Sequence, residues 1–174
     1  VNAYYNPLAN EIVFPAAILQ APFFDPNASD AENYGGIGVV IGHEMTHGFD
    51  DQGRNFDANG NMTNWWTAED LAKFEEKTKG LIAQFDEVEV LPGLKANGTY
   101  TLGENIADQG GLRVAMTAFL DSQDKKGVDI NSPEAKIDGF SPAQVFYMNY
   151  ANLWATNIRP EEIRSLTTGD VHSL

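Results

Sequence analysis

The stretch Gly36-Ile37-Gly38-Val39-Val40-Ile41-Gly42-His43-Glu44-Met45-Thr46-His47-Gly48-Phe49-Asp50 constrains the chain more than any other. The residues before His43 carry no charge, which suits a helix buried beside a dry site, and they run straight into an H-E-x-x-H motif. On a helix, residues four apart share a face with Cβ atoms about 5–6 Å apart, so the imidazoles of His43 and His47 can converge on one metal ion. Neutral imidazole is a good zinc ligand, and zinc with three protein ligands and an open position lowers the pKa of its bound water to about 7. Glu44, between the histidines, is the natural base for such a water as it attacks a carbonyl. The motif alone leaves a plainer reading open, in which two satisfied core histidines flank a surface glutamate.

A third ligand sharpens the choice. Gly103-Glu104-Asn105-Ile106-Ala107-Asp108 stands just ahead of Leu112, Ala115, Met116, Phe119 and Leu120, whose spacing predicts a helix. Glu104 and Asp108 are then one turn apart on one face. Glu104 can ligate the metal, while Asp108 accepts a hydrogen bond from His43 and fixes its tautomer. Asp50, three residues beyond His47 on the same helical face, can serve His47 in the same way. Without the upstream motif, Glu104 and Asp108 would read as ordinary acids favoured in a helix's first turn.

Five blocks carry a resemblance. Asn2-Ala3-Tyr4-Tyr5, Asn10-Glu11-Ile12-Val13-Phe14-Pro15-Ala16-Ala17-Ile18-Leu19-Gln20, His43-Glu44-Met45-Thr46-His47-Gly48-Phe49-Asp50-Asp51, Glu104-Asn105-Ile106-Ala107-Asp108 and Asp170-Val171-His172-Ser173 occur in this order. Together they resemble the neprilysin, endothelin-converting enzyme and PepO family of zinc endopeptidases, essentially from end to end. The resemblance implies a predominantly helical α+β fold, a thermolysin-like zincin domain with a small β-sheet. It implies one zinc ion held by His43, His47 and Glu104, with Glu44 as the base. It further implies that Asp108 buttresses a zinc histidine and serves as a proton donor, and that His172 hydrogen-bonds the oxyanion at the attacked carbonyl. Asn2 and Ala3 would hold the substrate backbone from an edge strand, a form of strand addition. Ile18 and Phe23 match positions lining the pocket for the residue after the scissile bond, which takes large apolar side chains, and Leu153 and Trp154 match positions near it. All four also read as ordinary core residues.

Two features of the family are missing from the sequence. An Arg normally follows D-x-H-S, but Leu174 comes before that position. The large helical N-terminal domain that roofs the family's active site is also not in this sequence. The chain therefore reads as a catalytic-domain fragment over residues 1–174, partnered in its parent by that missing domain. The class expected is a metalloendopeptidase acting on oligopeptides. The competing classes are a catalytically silent zinc-bearing peptide-binding module and a metallo-aminopeptidase, the latter disfavoured by the lack of an acidic motif for a free amine.

Composition bounds the rest. The 174 residues, 43% hydrophobic, suit one domain with one core. With no cysteine, metal ligands must be His or carboxylate. The same lack points away from the disulfide-bonded animal members of the family and toward a bacterial one, periplasmic, surface-held or secreted. The net charge of −14 repels nucleic acid and anionic membranes.

Along the chain, Val1–Tyr5 and Glu11–Phe14 read as strands broken by Asn6-Pro7, and residues 25–35 as a turn-rich loop. Thr67 with Asp70 predicts a capped surface helix over about 67–86. Residues 87–102 read as a hairpin or extended loop, and 121–138 as an exposed connection. Ser141-Pro142 starts a helix carrying Val145, Phe146, Tyr150, Leu153 and Trp154.

Overall fold

The computed structural model describes all residues from Val1 to Leu174. It is largely helical with two small two-stranded antiparallel ladders, the predominantly helical α+β class expected. Its contacts group into two compact units. None of its helices is long and apolar enough to cross a membrane.

The first unit comprises residues 1–6, 11–46 and 108–155. Strands β1 (Tyr4–Asn6) and β2 (Glu11–Val13) pair with Tyr4 opposite Val13 and Asn6 opposite Glu11. Pro7 follows β1 at once, and Asn10 takes φ of 49°, a left-handed conformation asparagine tolerates, to re-enter the ladder. The predicted loop over 25–35 is partly helical. Helix α1 (Asp30–Asn33) is nucleated by a capping box in which Ser29 and Glu32 satisfy each other's backbone N–H groups. A wider π-helical turn, Tyr34–Gly38, leads into α2 (Val39–Thr46), which carries the first half of the motif. Gly36 is required there, since a Cβ would sit 2.5 Å from the Phe23 carbonyl oxygen.

Helix α4 (Leu102–Lys125) supplies its later turns to this unit. It extends well into the stretch expected to be an exposed connection. The reason is tertiary: Gln123, 9% exposed, donates to Asp30 at 2.7 Å, and Lys126 pairs with the same carboxylate, so the last turn is anchored on α1. Helix α5 (Pro142–Trp154) begins with Ser141 as cap and Pro142 at the first position, and Gln144 completes a capping box. The core of the unit joins Val39, Ala115 and Phe146, flanked by Tyr34, Leu112, Met116 and Tyr150. A second cluster joins Ala31, Phe119 and Val145. A third joins Ala3, Ile18 and Ile37, with Phe14, Phe23 and Val40 packed on it.

Where α2 meets α4, the backbones touch. A Cβ on Gly111 would lie 2.7 Å from both the His43 nitrogen and the Val39 carbonyl oxygen, and one on Gly42 would lie 2.9 Å from the Gly111 Cα. Backbone atoms cannot swing aside, so Gly111→Ala must push apart the helices that bear His43 and Asp108. We expect this substitution to cost at least the 1–3 kcal/mol typical of overpacking, about as a lower bound. Gly80→Ala, on the exposed face of helix α3 (Ala68–Asp86) with nothing within 4 Å of the added methyl, should instead stabilise by about 0.5–1 kcal/mol. Urea unfolding of both variants checks the contrast; a Gly111→Ala chain as stable as the wild type would refute the tight crossing.

The second unit comprises residues 7–10, 47–107 and 156–174. Its main element is α3 (Ala68–Asp86), capped by Thr67, whose hydroxyl accepts from the Asp70 amide. A short hairpin follows, β3 (Glu89–Leu91) and β4 (Leu94–Lys95), turning at Pro92-Gly93. The first turns of α4 come next. An edge-to-face series Phe49, Trp65, Trp66 and Phe74 fills the space before α3. Helix α6 (Pro160–Gly169) lies in residues for which the sequence reading made no helix prediction. Pro160 at its first position and the acids Glu161 and Glu162 were the available signals.

Candidate metal centre and active site

Helix α2 continues without a break into a 3-10 turn, His47–Phe49. Along this one helical run, His43, Glu44 and His47 offer ligand atoms that all lie within 4.8 Å of one another. Glu44 is only 5% exposed, which removes the reading of a surface glutamate between core histidines.

Each imidazole is held by a carboxylate on its Nδ1. In the first unit, His43 Nδ1 lies 2.8 Å from Asp108 Oδ1. In the second, His47 Nδ1 lies 2.7 Å from Asp50 Oδ2. A carboxylate only accepts, so each Nδ1 carries a proton, which leaves Nε2 as the nitrogen whose lone pair a metal would take. Asp50 follows the 3-10 turn His47–Phe49, in which residues three apart come to one side. It thus reaches the imidazole as expected, and is itself fixed by the backbone N–H groups of Gln52 and Gly53 at 2.8 and 2.6 Å on its other oxygen.

Within the second unit, Glu104 Oε2 stands 3.4 Å from His47 Nε2. Two donors each about 2.0–2.2 Å from a tetrahedral zinc stand about 3.3–3.5 Å apart, so this spacing fits a pair of ligands to one ion. The electrostatics agree. Burial works against a charged His47, but hydrogen bonds to Asp50 and Glu104 and the charges of both outweigh it and raise the imidazole pKa to about 10. Surroundings that stabilise positive charge this strongly also suit a cation. The all-nitrogen-and-oxygen donor set is one that zinc accepts.

His172 sits beside the same carboxylate, with Nε2 3.3 Å from Glu104 Oε2. Asp170 accepts from the His172 backbone amide at 2.9 Å and from its Nδ1 at 2.7 Å. Those two bonds, the backbone one first, hold the Asp170 carboxyl below its ordinary range, so it remains an acceptor. Two residues not singled out in the sequence place this tail. Asn105, 3% exposed, donates to Thr101 and accepts from Ser173 Oγ at 2.7 Å, which ties the segment after His172 to the first turns of α4. Both belong to the blocks E-N-x-A-D and D-x-H-S, which is where the signal lay.

The substrate-side residues fall in the first unit. Strand β1 begins at Tyr4, so Asn2 and Ala3 precede the ladder instead of lying in it, and the Asn2 side chain accepts from the Ala3 amide at 2.9 Å. Ala3 and Ile18 are buried in one cluster, with Phe23 packed on it. Phe23 meets Trp154 edge-on at 6.1 Å; Trp154 is exposed and Leu153 half-buried.

Two anchored imidazoles and a buried glutamate within one turn, on a predominantly helical α+β scaffold, define the class of H-E-x-x-H metallopeptidase domains. The chain belongs to peptidase family M13, whose model matches residues 2–174. It is 47% identical over 176 residues to membrane metallo-endopeptidase-like 1 of Mus musculus, covering 99% of this chain and 22% of that relative. It is 46% identical over 173 residues to the neutral endopeptidase of Lactococcus lactis, covering 99% and 25%. Among solved structures, the Mycobacterium tuberculosis zinc metalloprotease Zmp1 in complex with an inhibitor superposes with a TM-score of 0.91 at 46% identity, over 99% of this chain and 26% of that one. PepO from Lactobacillus rhamnosis HN001 gives 0.84 at 41% identity, over 99% and 25%. The chain thus spans about a quarter of the length of the relatives it matches. The family and these neighbours imply a metal at the motif.

Proposed function

We propose that this chain is the zinc-bearing catalytic part of a larger metalloendopeptidase that hydrolyses oligopeptides on the amino side of large apolar residues. One zinc ion per chain would be held by His43, His47 and Glu104. The observation that carries this reading is the pair of motif imidazoles, each with Nδ1 on a carboxylate, flanking a glutamate that is 5% exposed.

When bound, zinc would supply Lewis-acid polarisation of the scissile carbonyl and bring the pKa of water near 7. The protein's own groups do the rest. Glu44 takes the proton from the attacking water and passes it to the leaving amine nitrogen. Its burial strengthens its electrostatic interactions at that moment. His172, oriented by Asp170 on Nδ1, would in its imidazolium form donate from Nε2 to the carbonyl oxygen as negative charge develops there. Asp50 and Asp108 hold the two histidines in the tautomer that ligates. Asn2 and Ala3 hold the peptide backbone beside β1, and Ile18, Phe23, Leu153 and Trp154 form the apolar side of the pocket for the residue after the scissile bond. The rest of the polypeptide is the chain's partner in enclosing the peptide.

The test uses the full-length protein and an internally quenched peptide with Phe or Leu after the cleavable bond. We expect turnover that a chelator abolishes and stoichiometric zinc restores. Turnover untouched by chelation would overturn the metal reading. Peptide binding without any metal-dependent cleavage would make the protein a silent binding module instead.

A further inference from the structure

His172 reaches Glu104 from a tail that leaves helix α6 at Gly169. Two of its bonds are local. Asp170 accepts from the His172 amide at 2.9 Å and from Nδ1 at 2.7 Å, which sets the ring against its own backbone but does not place that backbone in the unit. The Glu104 carboxylate, 3.3 Å from Nε2, cannot be the fixture during catalysis, because the proposed function commits that oxygen to zinc and Nε2 to the substrate carbonyl. The tail needs a tether that takes no part in the chemistry.

Such a tether runs through the next residue, and all of it lies in the second unit. Ser173 Oγ donates to Asn105 Oδ1 at 2.7 Å, across 68 residues of sequence. Asn105 is buried on the first turn of α4, and its Nδ2 donates to Thr101 Oγ1 at 2.9 Å. Thr101, buried as well, donates its hydroxyl proton to the Asn97 carbonyl at 3.1 Å. The direction of this chain of bonds is forced. A carbonyl only accepts, so the Thr101 proton is committed to Asn97 and an oxygen lone pair faces Asn105. Asn105 must then turn its NH2 group to Thr101 and its carbonyl oxygen to the tail, where Ser173 can only be the donor. Two rungs result: Glu104 faces His172 and Asn105 faces Ser173, each pair consecutive in its own segment.

We propose that Asn105 and Ser173 are positioning residues for His172: the Ser173 hydroxyl, held by the buried Asn105 amide, fixes the tail so that Nε2 of His172 stays beside Glu104 and meets the carbonyl oxygen in the transition state. The helix that supplies the third ligand thereby also sets where the oxyanion donor stands. Alanine at 173 would leave both Asp170 bonds intact and let Asp170 and the ring drift together. It would also leave the buried Asn105 oxygen without its donor.

This inference rests on the oxyanion role proposed for His172, and the two fail differently. The full-length protein and its Ser173→Ala, Ser173→Thr, His172→Ala and Ser173→Ala/His172→Ala variants are compared in kcat, KM and zinc affinity with the quenched peptide. Asn105 itself is left in place, since its loss would disturb the start of α4. His172→Ala should lower kcat by about 10²–10³-fold, as removal of one oxyanion donor does. Ser173→Ala should lower kcat by about 3–30-fold, the partial loss from a misplaced donor, with KM and zinc affinity unchanged. Ser173→Thr keeps the hydroxyl and should recover most of the rate. In the His172→Ala background, Ser173→Ala should have no further effect, because there is no ring left to place. A serine that only ties down the tail would give Ser173→Ala with wild-type kcat, or an equal loss in both backgrounds; either result overturns the proposal, as does a threonine variant as slow as the alanine one. His172→Ala with wild-type kcat would overturn the oxyanion role itself and this inference with it, whereas a slow His172→Ala beside an unaffected Ser173→Ala would overturn this inference alone.

Discussion

Glu44→Gln in the full-length protein is expected to lower kcat by about 10²–10⁴-fold while zinc content stays at one per chain, the range reflecting what a positioned general base contributes. The substitution keeps the shape of the side chain and takes away its ability to accept a proton. Geometry should survive, because Glu44 is 5% exposed and its neighbours His43 and His47 are fixed by Asp108 and Asp50, not by Glu44 alone. KM should change little, since the loss falls on the transition state and not on peptide binding. Elemental analysis beside steady-state kinetics separates the cases. A variant that turns over normally would remove Glu44 from the mechanism, and one that loses its metal would make it a structural member of the site.

What could be read from the sequence divides along a physical line. The spacing of His43 and His47 is local helix geometry, so the convergence of the motif on one face followed from residue positions alone. Thr67 before α3 and Ser141-Pro142 before α5 are cap chemistries with effects confined to one turn, and both helices start where those residues predict. Short or weakly periodic elements were less legible. The Ser29–Glu32 capping box was present in the sequence, but α1 has four residues, too few for a hydrophobic period to appear. Helix α6 has few apolar positions, and the end of α4 is held by Gln123 and Lys126 reaching Asp30, a contact across more than ninety residues that no window contains. The link from His47 to Glu104 came from the order of motif blocks, not from periodicity.

Glu104→Ala should weaken zinc binding by more than the about 10–100-fold that loss of an outer partner costs, because it removes a ligand outright. Glu104 Oε2 is the atom that lies 3.4 Å from His47 Nε2 and 3.3 Å from His172 Nε2 in the second unit, so its loss reaches both neighbours. His47 would retain Asp50 but lose one of the two anionic partners that favour a positive charge beside it. His172 would keep Asp170 on Nδ1 and lose the carboxylate facing Nε2. Asn105 still ties Ser173 to α4, so the tail should remain in place and the fold should survive. Glu104→Gln discriminates between charge and shape: it preserves the length of the side chain and a carbonyl oxygen while removing the negative charge, and should recover only part of the affinity. Chelator competition on the full-length variants checks the ranking of wild type, Gln and Ala. If the Ala variant holds zinc as tightly as the wild type, the third ligand is another residue, and the spacing of 3.4 Å reflects an ordinary hydrogen-bonding neighbour of His47.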